Sequence, residues 1–342
     1  MVFEDLFKGS PVILAPMEDV TDEVFRAICR RRGAELCVTE FVNAEGLVAG
    51  TTEATKKITL GQNDAPTAIQ IYGSDPERLA EAVEVAEEAG PVAIDINCGC
   101  WVPKIAGRGA GAGWLRNPAA MVAMAKMVVE RSSLPVTVKT RIGLGPESDM
   151  PIVDLARRLE DAGVQALTVH CRTAQMGHSG AADWTWAQRA KQAVSIPVVV
   201  NGDVRSAQDA LRAMESTGCE GVMVGRRAIE HPWVFREARA LLELALADPR
   251  HLGDDAPHRA ADEVGAEREG QHQFRFERER GIRVSFKAAQ RRIFQQARRF
   301  ESGRLVLQQA LQRRDGVVVA AALPLQRRQR QQIGRASCRE RV

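Results

Sequence analysis

The residues best suited to chemistry fall in one short run, Asp95-Ile96-Asn97-Cys98-Gly99-Cys100-Trp101-Val102-Pro103-Lys104, at the end of the apolar segment Val92 to Ile96. The run sets an asparagine and a cysteine just past the expected end of a buried strand. A glycine-rich stretch follows, Gly107-Arg108-Gly109-Ala110-Gly111-Ala112-Gly113, and gives the loop its hinges. A thiol with a reference pKa of about 8.5 is mostly protonated at neutral pH, so Cys100 can deliver a proton to a bound substrate. Structural cysteines usually sit inside strands rather than beyond their ends, which favours a chemical role. No second cysteine pair or spaced histidine completes a metal site with Cys98 and Cys100, so no metal is expected.

The elements that must hold this loop recur at regular spacing. Residues 11–246 alternate β-branched runs with amphipathic stretches. The expected strands are Val12–Ala15, Leu36–Glu40, Thr67–Ile71, Val92–Ile96, Val136–Lys139, Ala166–His170, Val198–Asn201 and Gly221–Val224. Helical periodicity predicts helices such as Pro76–Ala89, Pro118–Val129, Val153–Ala162 and Ala207–Thr217, several closed by glycine (Gly90, Gly163, Gly218). Eight strands joined by helices fit a (β/α)8 TIM barrel, whose active site forms at the C-terminal strand ends. An open doubly wound sheet is the rival, but no strand opens onto G-x-G-x-x-G.

Those strand ends carry polar groups in succession: Pro16-Met17 beyond the first, Glu40, Gln70, Asn97, then Lys139 and Arg141, His170 and Arg172, Asn201-Gly202-Asp203, and Gly225-Arg226. Gly202 and Gly225-Arg226 are placed for the phosphate site common to such barrels, where backbone N–H groups and a guanidinium meet a phosphate. Gln70, Asn97 and Lys139 can hydrogen-bond the polar edge of a flavin ring, with Pro16-Met17 as its apolar wall.

Composition excludes several classes. The chain has 342 residues, 45% of them hydrophobic, and no apolar run near the roughly 18 residues of a membrane span. The N-terminus carries Glu4 and Asp5 where an export signal would be basic, and seven irregularly spaced cysteines form no disulfide framework, so a cytoplasmic protein is expected. Charge is split: residues 251–342 hold 20 Lys and Arg against 11 Asp and Glu, leaving a net of about −6 on the first 250. From about His251 onward Arg and Gln dominate. The expected organisation is a catalytic domain over 1–246 and a basic Arg/Gln-rich region over 247–342. That region is either a polyanion-binding appendage, helical or disordered, or a non-native end.

The ordered set Ala15-Pro16-Met17 with Thr21-Asp22, Gln70, Asp95-Ile96-Asn97 with Gly99-Cys100, Val138-Lys139-Thr140-Arg141, Thr168 through Thr173, Asn201-Gly202-Asp203, Gly225-Arg226 and Pro232-Trp233 resembles the tRNA-dihydrouridine synthases. The likeness covers roughly residues 10–240. It implies non-covalent FMN, reduced by NADPH, that passes hydride to C6 of a uridine in tRNA, with Cys100 giving the proton to C5. It further implies that Pro16, Met17, Gln70, Lys139, His170, Asn201, Gly202, Asp203, Gly225 and Arg226 hold the cofactor. Asn97, Arg141 and Arg172 would then meet the substrate, whose uridine must leave its stack. Trp101 departs from the family pattern, which has proline after the cysteine. Two other readings stay open: a flavin barrel acting on a free pyrimidine, as dihydroorotate dehydrogenases do, and a tRNA-binding protein with impaired catalysis.

Overall fold

Each expected apolar run forms a strand in the computed structural model, which describes residues 3–62, 64–145 and 150–247. They are β1 (Val12–Leu14), β2 (Leu36–Val38), β3 (Val42–Asn43), β4 (Thr67–Tyr72), β5 (Ala93–Cys98), β6 (Val136–Arg141), β7 (Ala166–His170), β8 (Val198–Asn201) and β9 (Gly221–Val224). All pair in parallel, in the order β2-β1-β9-β8-β7-β6-β5-β4-β3. Direct pairing of β2 with β4, Cys37 opposite Thr67 and Val38 opposite Ala68, closes eight of them into a barrel. The short β3, which the sequence does not announce, pairs outside that ring with the end of β4.

Caps set where the surrounding helices begin and end. Asp75 accepts from the amides of Glu77 and Arg78, and Pro76 opens helix Pro76–Glu87 with φ already suited to it. Gly218, with φ +67, ends Ala207–Thr217 in a left-handed turn that a side chain would strain.

Inward and outward positions alternate along each strand. Ile13, Leu36, Ala68, Ala93, Ala166 and Val199 share one buried cluster with Phe3 and Phe7. Alanine at three of these strand positions leaves room for the two rings, which meet edge to face with centroids 5.4 Å apart. The N-terminal segment thereby stoppers the barrel at the end opposite the predicted site.

One boundary differs from expectation in a way that matters. β5 runs on through Asn97 and Cys98, because β6 continues to pair with it, Asn97 opposite Lys139 and Cys98 opposite Thr140. Asn97 is therefore a strand residue facing the interior, Cys98 points the other way into buried packing, and the loop begins only at Gly99. The Arg/Gln-rich region expected over 247–342 lies, beyond Ala247, outside the described residues.

Candidate active site

A relay of side chains climbs the barrel interior to the Cys100 loop. Thr137 donates to one oxygen of Asp95, and the Gln70 amide donates to the other at 2.5 Å. Gln70 Oε1 accepts from Asn97 Nδ2 at 2.8 Å, and Asn97 Oδ1 accepts from the backbone amides of Gly99 at 3.1 Å and Cys100 at 2.9 Å. Its direction is fixed at the loop end, since backbone N–H groups can only donate. Reading inward, each amide must then donate toward the carboxylate. Asp95 is buried, and desolvation raises its pKa, while the bonds from Thr137 and Gln70 and the charge on Lys139 pull it back.

Above this relay opens a cavity of about 680 Å3. Pro16, Met17, Asn97, Cys100, Lys139, Arg141, His170, Arg172, Asn201, Gly202, Asp203, Gly225 and Arg226 all line it, gathered from six strand ends. Gln70 alone among the expected site residues does not: it is fully buried below, with both ends of its amide taken by Asp95 and Asn97. Phe41, Met223, Arg205 and Arg227 line the cavity without having been anticipated. Phe41 and Met223 carry no chemical signal in sequence, since an apolar wall residue reads like any core residue.

Several polar groups are committed to the protein. Arg141 donates Nε to Gly99 O at 2.8 Å and Nη1 to the carbonyls of Thr173 and Gly177 at 2.8 and 2.9 Å. It thus ties the loop after β5 to the loop after β7. Arg172 was expected at the substrate, but its Nη2 meets both oxygens of Asp203 at 2.6 Å and the carbonyl of Gly180 at 2.8 Å. Asp203 also accepts from the Ala182 amide and from Arg205. Burial works against its charge, yet these donors hold its pKa down at about 2. Asn201 donates to Met223 O. Asp203 sits at φ +54, after Gly202 at φ +118, where a Cβ would meet Ala182 at 2.8 Å and the His170 ring at 3.2 Å. Only glycine suits that turn.

The groups left to act on a ligand are few. Lys139 has no hydrogen-bond partner or ion pair among the described residues; desolvation first, then repulsion from Arg141, lowers its pKa to about 8. Burial, followed by the positive charges of Lys139, Arg141 and Arg172, pushes His170 far below its usual value, so the imidazole is neutral. The half-buried Cys100 thiol is raised by desolvation, only partly offset by a hydrogen bond from the Val102 backbone and the charges of Arg141 and Lys139. It is protonated at neutral pH. Arg226 is exposed at the mouth and forms no ion pair with a described residue. Cys29, Cys37, Cys171 and Cys219 are buried, as core cysteines should be. Among the described residues no cluster of His, Cys, Asp and Glu could hold a metal, and no helix is long and apolar enough to cross a membrane.

Fold and site together define a (β/α)8 barrel with a thiol poised over a cation-floored cavity at the C-terminal mouth. The chain belongs to the dihydrouridine synthase (Dus) family, whose profile matches residues 13–306. That span runs past residue 240 and into the Arg/Gln-rich region. Among similar proteins, tRNA-dihydrouridine synthase B of Pseudomonas aeruginosa is 39% identical over 226 residues, 66% of this chain and 68% of its own. The protein of Aquifex aeolicus described as "Probable tRNA-dihydrouridine synthase" is 40% identical over 235 residues, 68% and 73% of the two chains. A solved mandelate oxidase structure aligns with a TM-score of 0.44 at 22% identity, covering 68% of this chain and 70% of the other.

Proposed function

We propose that this chain is an FMN-dependent enzyme that reduces the C5–C6 double bond of uridine in tRNA, using NADPH, in the cytoplasm. The observation that carries the reading is the protonated Cys100 thiol lining the same cavity as Lys139 and His170. The residues present suit FMN. The cavity lies within the roughly 300–1,000 Å3 of small-molecule sites, and Lys139 offers an unpaired cation on its floor. The Gly202 turn admits close backbone approach, and Arg226 at the mouth can neutralise a phosphate. FMN bound there would supply hydride to C6 of the uracil.

The chain's own groups do the rest. Cys100 gives its proton to C5, and the thiolate left behind takes one back from solvent before the next turnover. Neutral His170 can donate a ring N–H to a uracil carbonyl without competing for a proton. Lys139 stabilises negative charge that develops nearby. Asp203 holds Arg172 across the β7 and β8 ends, so that Gly202 keeps its shape. Residues 1–246 carry this catalytic unit, and tRNA is the partner.

The experiment is direct. Purified protein, FMN and NADPH are incubated with tRNA lacking dihydrouridine, and the nucleosides are quantified by mass spectrometry. A gain of 2 Da on specific uridines is expected. Turnover of free orotate or dihydroorotate with no change in tRNA would overturn the proposal, as would tRNA binding without any flavin or product.

A further inference from the structure

A second, smaller cavity of about 320 Å3 lies beside the first, and the Trp101 ring lines both. Its other walls are Ala106, Ala112, Arg116, Leu144, Ala174 and Gln175. Trp101 is 36% exposed, an unusual place for the largest apolar side chain. Its position is nonetheless fixed. A Cβ on Gly177, which has φ +55, would stand 3.2 Å from the six-membered ring, so glycine here lets the indole pack close without being pushed aside. His178 meets the same ring edge-on, with centroids 5.9 Å apart and planes at 86°. Arg141 anchors both loops beneath it through Gly99 O and Gly177 O. The indole is therefore a preordered wall, and a ring stacking on it loses little further freedom.

On the side of the smaller cavity the charged group among its described walls is the cation Arg116. From Ile96 to Val129 the sequence holds no carboxylate, in a body that is otherwise net acidic. Lys104, Arg108 and Arg116 in that span are exposed, and none forms an ion pair with a described residue. Arg116 spends Nη1 on Ala106 O at 2.8 Å. The exposed Gln175 side-chain amide has no partner among the described residues. A flat aromatic platform, an amide and unpaired cations are what a single-stranded nucleotide requires: a face for its base, a hydrogen-bonding group for its edge and positive charge for its phosphate. Glu147 and Asp149, the nearest acids in sequence beyond Leu144, lie outside the described residues.

We propose that the smaller cavity is a second nucleotide subsite, in which the base adjoining the reactive uridine stacks on Trp101 while its phosphate reaches Arg116. The inference rests on the functional reading above and adds to it. Trp101 becomes a partition between two bases, one delivered to the Cys100 cavity and its neighbour retained outside, which keeps the unstacked uridine from collapsing back.

The test compares the trinucleotide UpUpU with uridine on the full chain, following quenching of tryptophan fluorescence and, separately, calorimetry. UpUpU should bind more tightly than uridine. Trp101→Ala should erase that advantage, on the order of tenfold or more, and Trp101→Phe should restore part of it. Arg116→Gln, at an exposed position, should weaken UpUpU but not uridine and lower the slope of log Kd against log salt by about 0.7. Equal affinities for the two ligands, or variants indistinguishable from wild type in UpUpU binding and in KM for tRNA, would overturn the subsite while leaving dihydrouridine formation intact. A chain that binds UpUpU in this Trp101- and Arg116-dependent way yet makes no dihydrouridine would keep the subsite and remove the functional reading.

Discussion

Replacing Gln70 by leucine separates two roles that the sequence could not. In the structure Gln70 lies below the cavity, and its amide links Asp95 to Asn97. Leucine has similar volume but neither donor nor acceptor. It would leave one oxygen of the buried Asp95 and the Nδ2 group of Asn97 unpartnered, both shielded from solvent. An orphaned buried polar group costs about 1–3 kcal/mol, and more when charged. The two together give about 3–5 kcal/mol, with a small offset from the added apolar contact. With a urea slope of about 3 kcal/mol/M for a chain of this size, the unfolding midpoint should fall by about 1 M or more. The assay is urea unfolding of flavin-stripped protein followed by circular dichroism, beside a titration of the same variant with FMN. A midpoint within 0.2 M of wild type (roughly the resolution of such an extrapolation) together with a large loss of FMN affinity would refute the relay. Gln70 would then be a cofactor ligand, as the family resemblance implies.

Other outcomes follow from the same geometry. Cys100→Ala should retain FMN and its bleaching by NADPH while losing most dihydrouridine formation, measured by stopped-flow absorbance and nucleoside mass spectrometry. Because burial raises the Cys100 pKa, wild-type activity should hold through neutral pH and fall only as the pH climbs past the usual thiol range. Asp203→Asn should destabilise the protein at pH 7. Since the native Asp203 pKa is depressed to about 2, its contribution, on the order of 2 kcal/mol, is present above about pH 4 and lost as pH falls through 2. The variant's unfolding midpoint should therefore converge on wild type in acid. Lys139→Met should release FMN more readily. The native lysine, with its pKa lowered to about 8, disfavours the folded apo-protein while charged. Wild-type apo-protein should accordingly gain stability relative to the variant between about pH 8 and pH 10, which a pH series of melting curves would show.

How much of this was legible beforehand varies by physical cause. The barrel strands announce themselves because each is buried on both faces and so reads as a continuous β-branched run. β3 is too short for such a signal. That these residues gather around one cavity was readable too, since polar residues at successive strand ends have no packing reason to be there. Their partners were not. That Gln70 faces Asp95, or that Arg172 grips Asp203, depends on register between segments 25 and 31 residues apart, which no local pattern encodes. The end of β5 was misplaced for the same reason, because β6 continues to pair with it through Asn97 and Cys98. In sequence Trp101 stands out only as a departure from the family pattern. Its ring packs against Gly177, and only a structure brings residues 101 and 177 together.

The Phe3 and Phe7 stopper has a kinetic corollary. Among the described residues the plugged base leaves the C-terminal mouth as the way in, so on the proposed reading whatever delivers electrons and whatever receives them would share that opening. If the proposed function holds, with Trp101 standing on that threshold the spent dinucleotide would depart before an RNA loop enters. Initial-rate plots for the two reactants should then run as parallel lines, the signature of a double-displacement sequence.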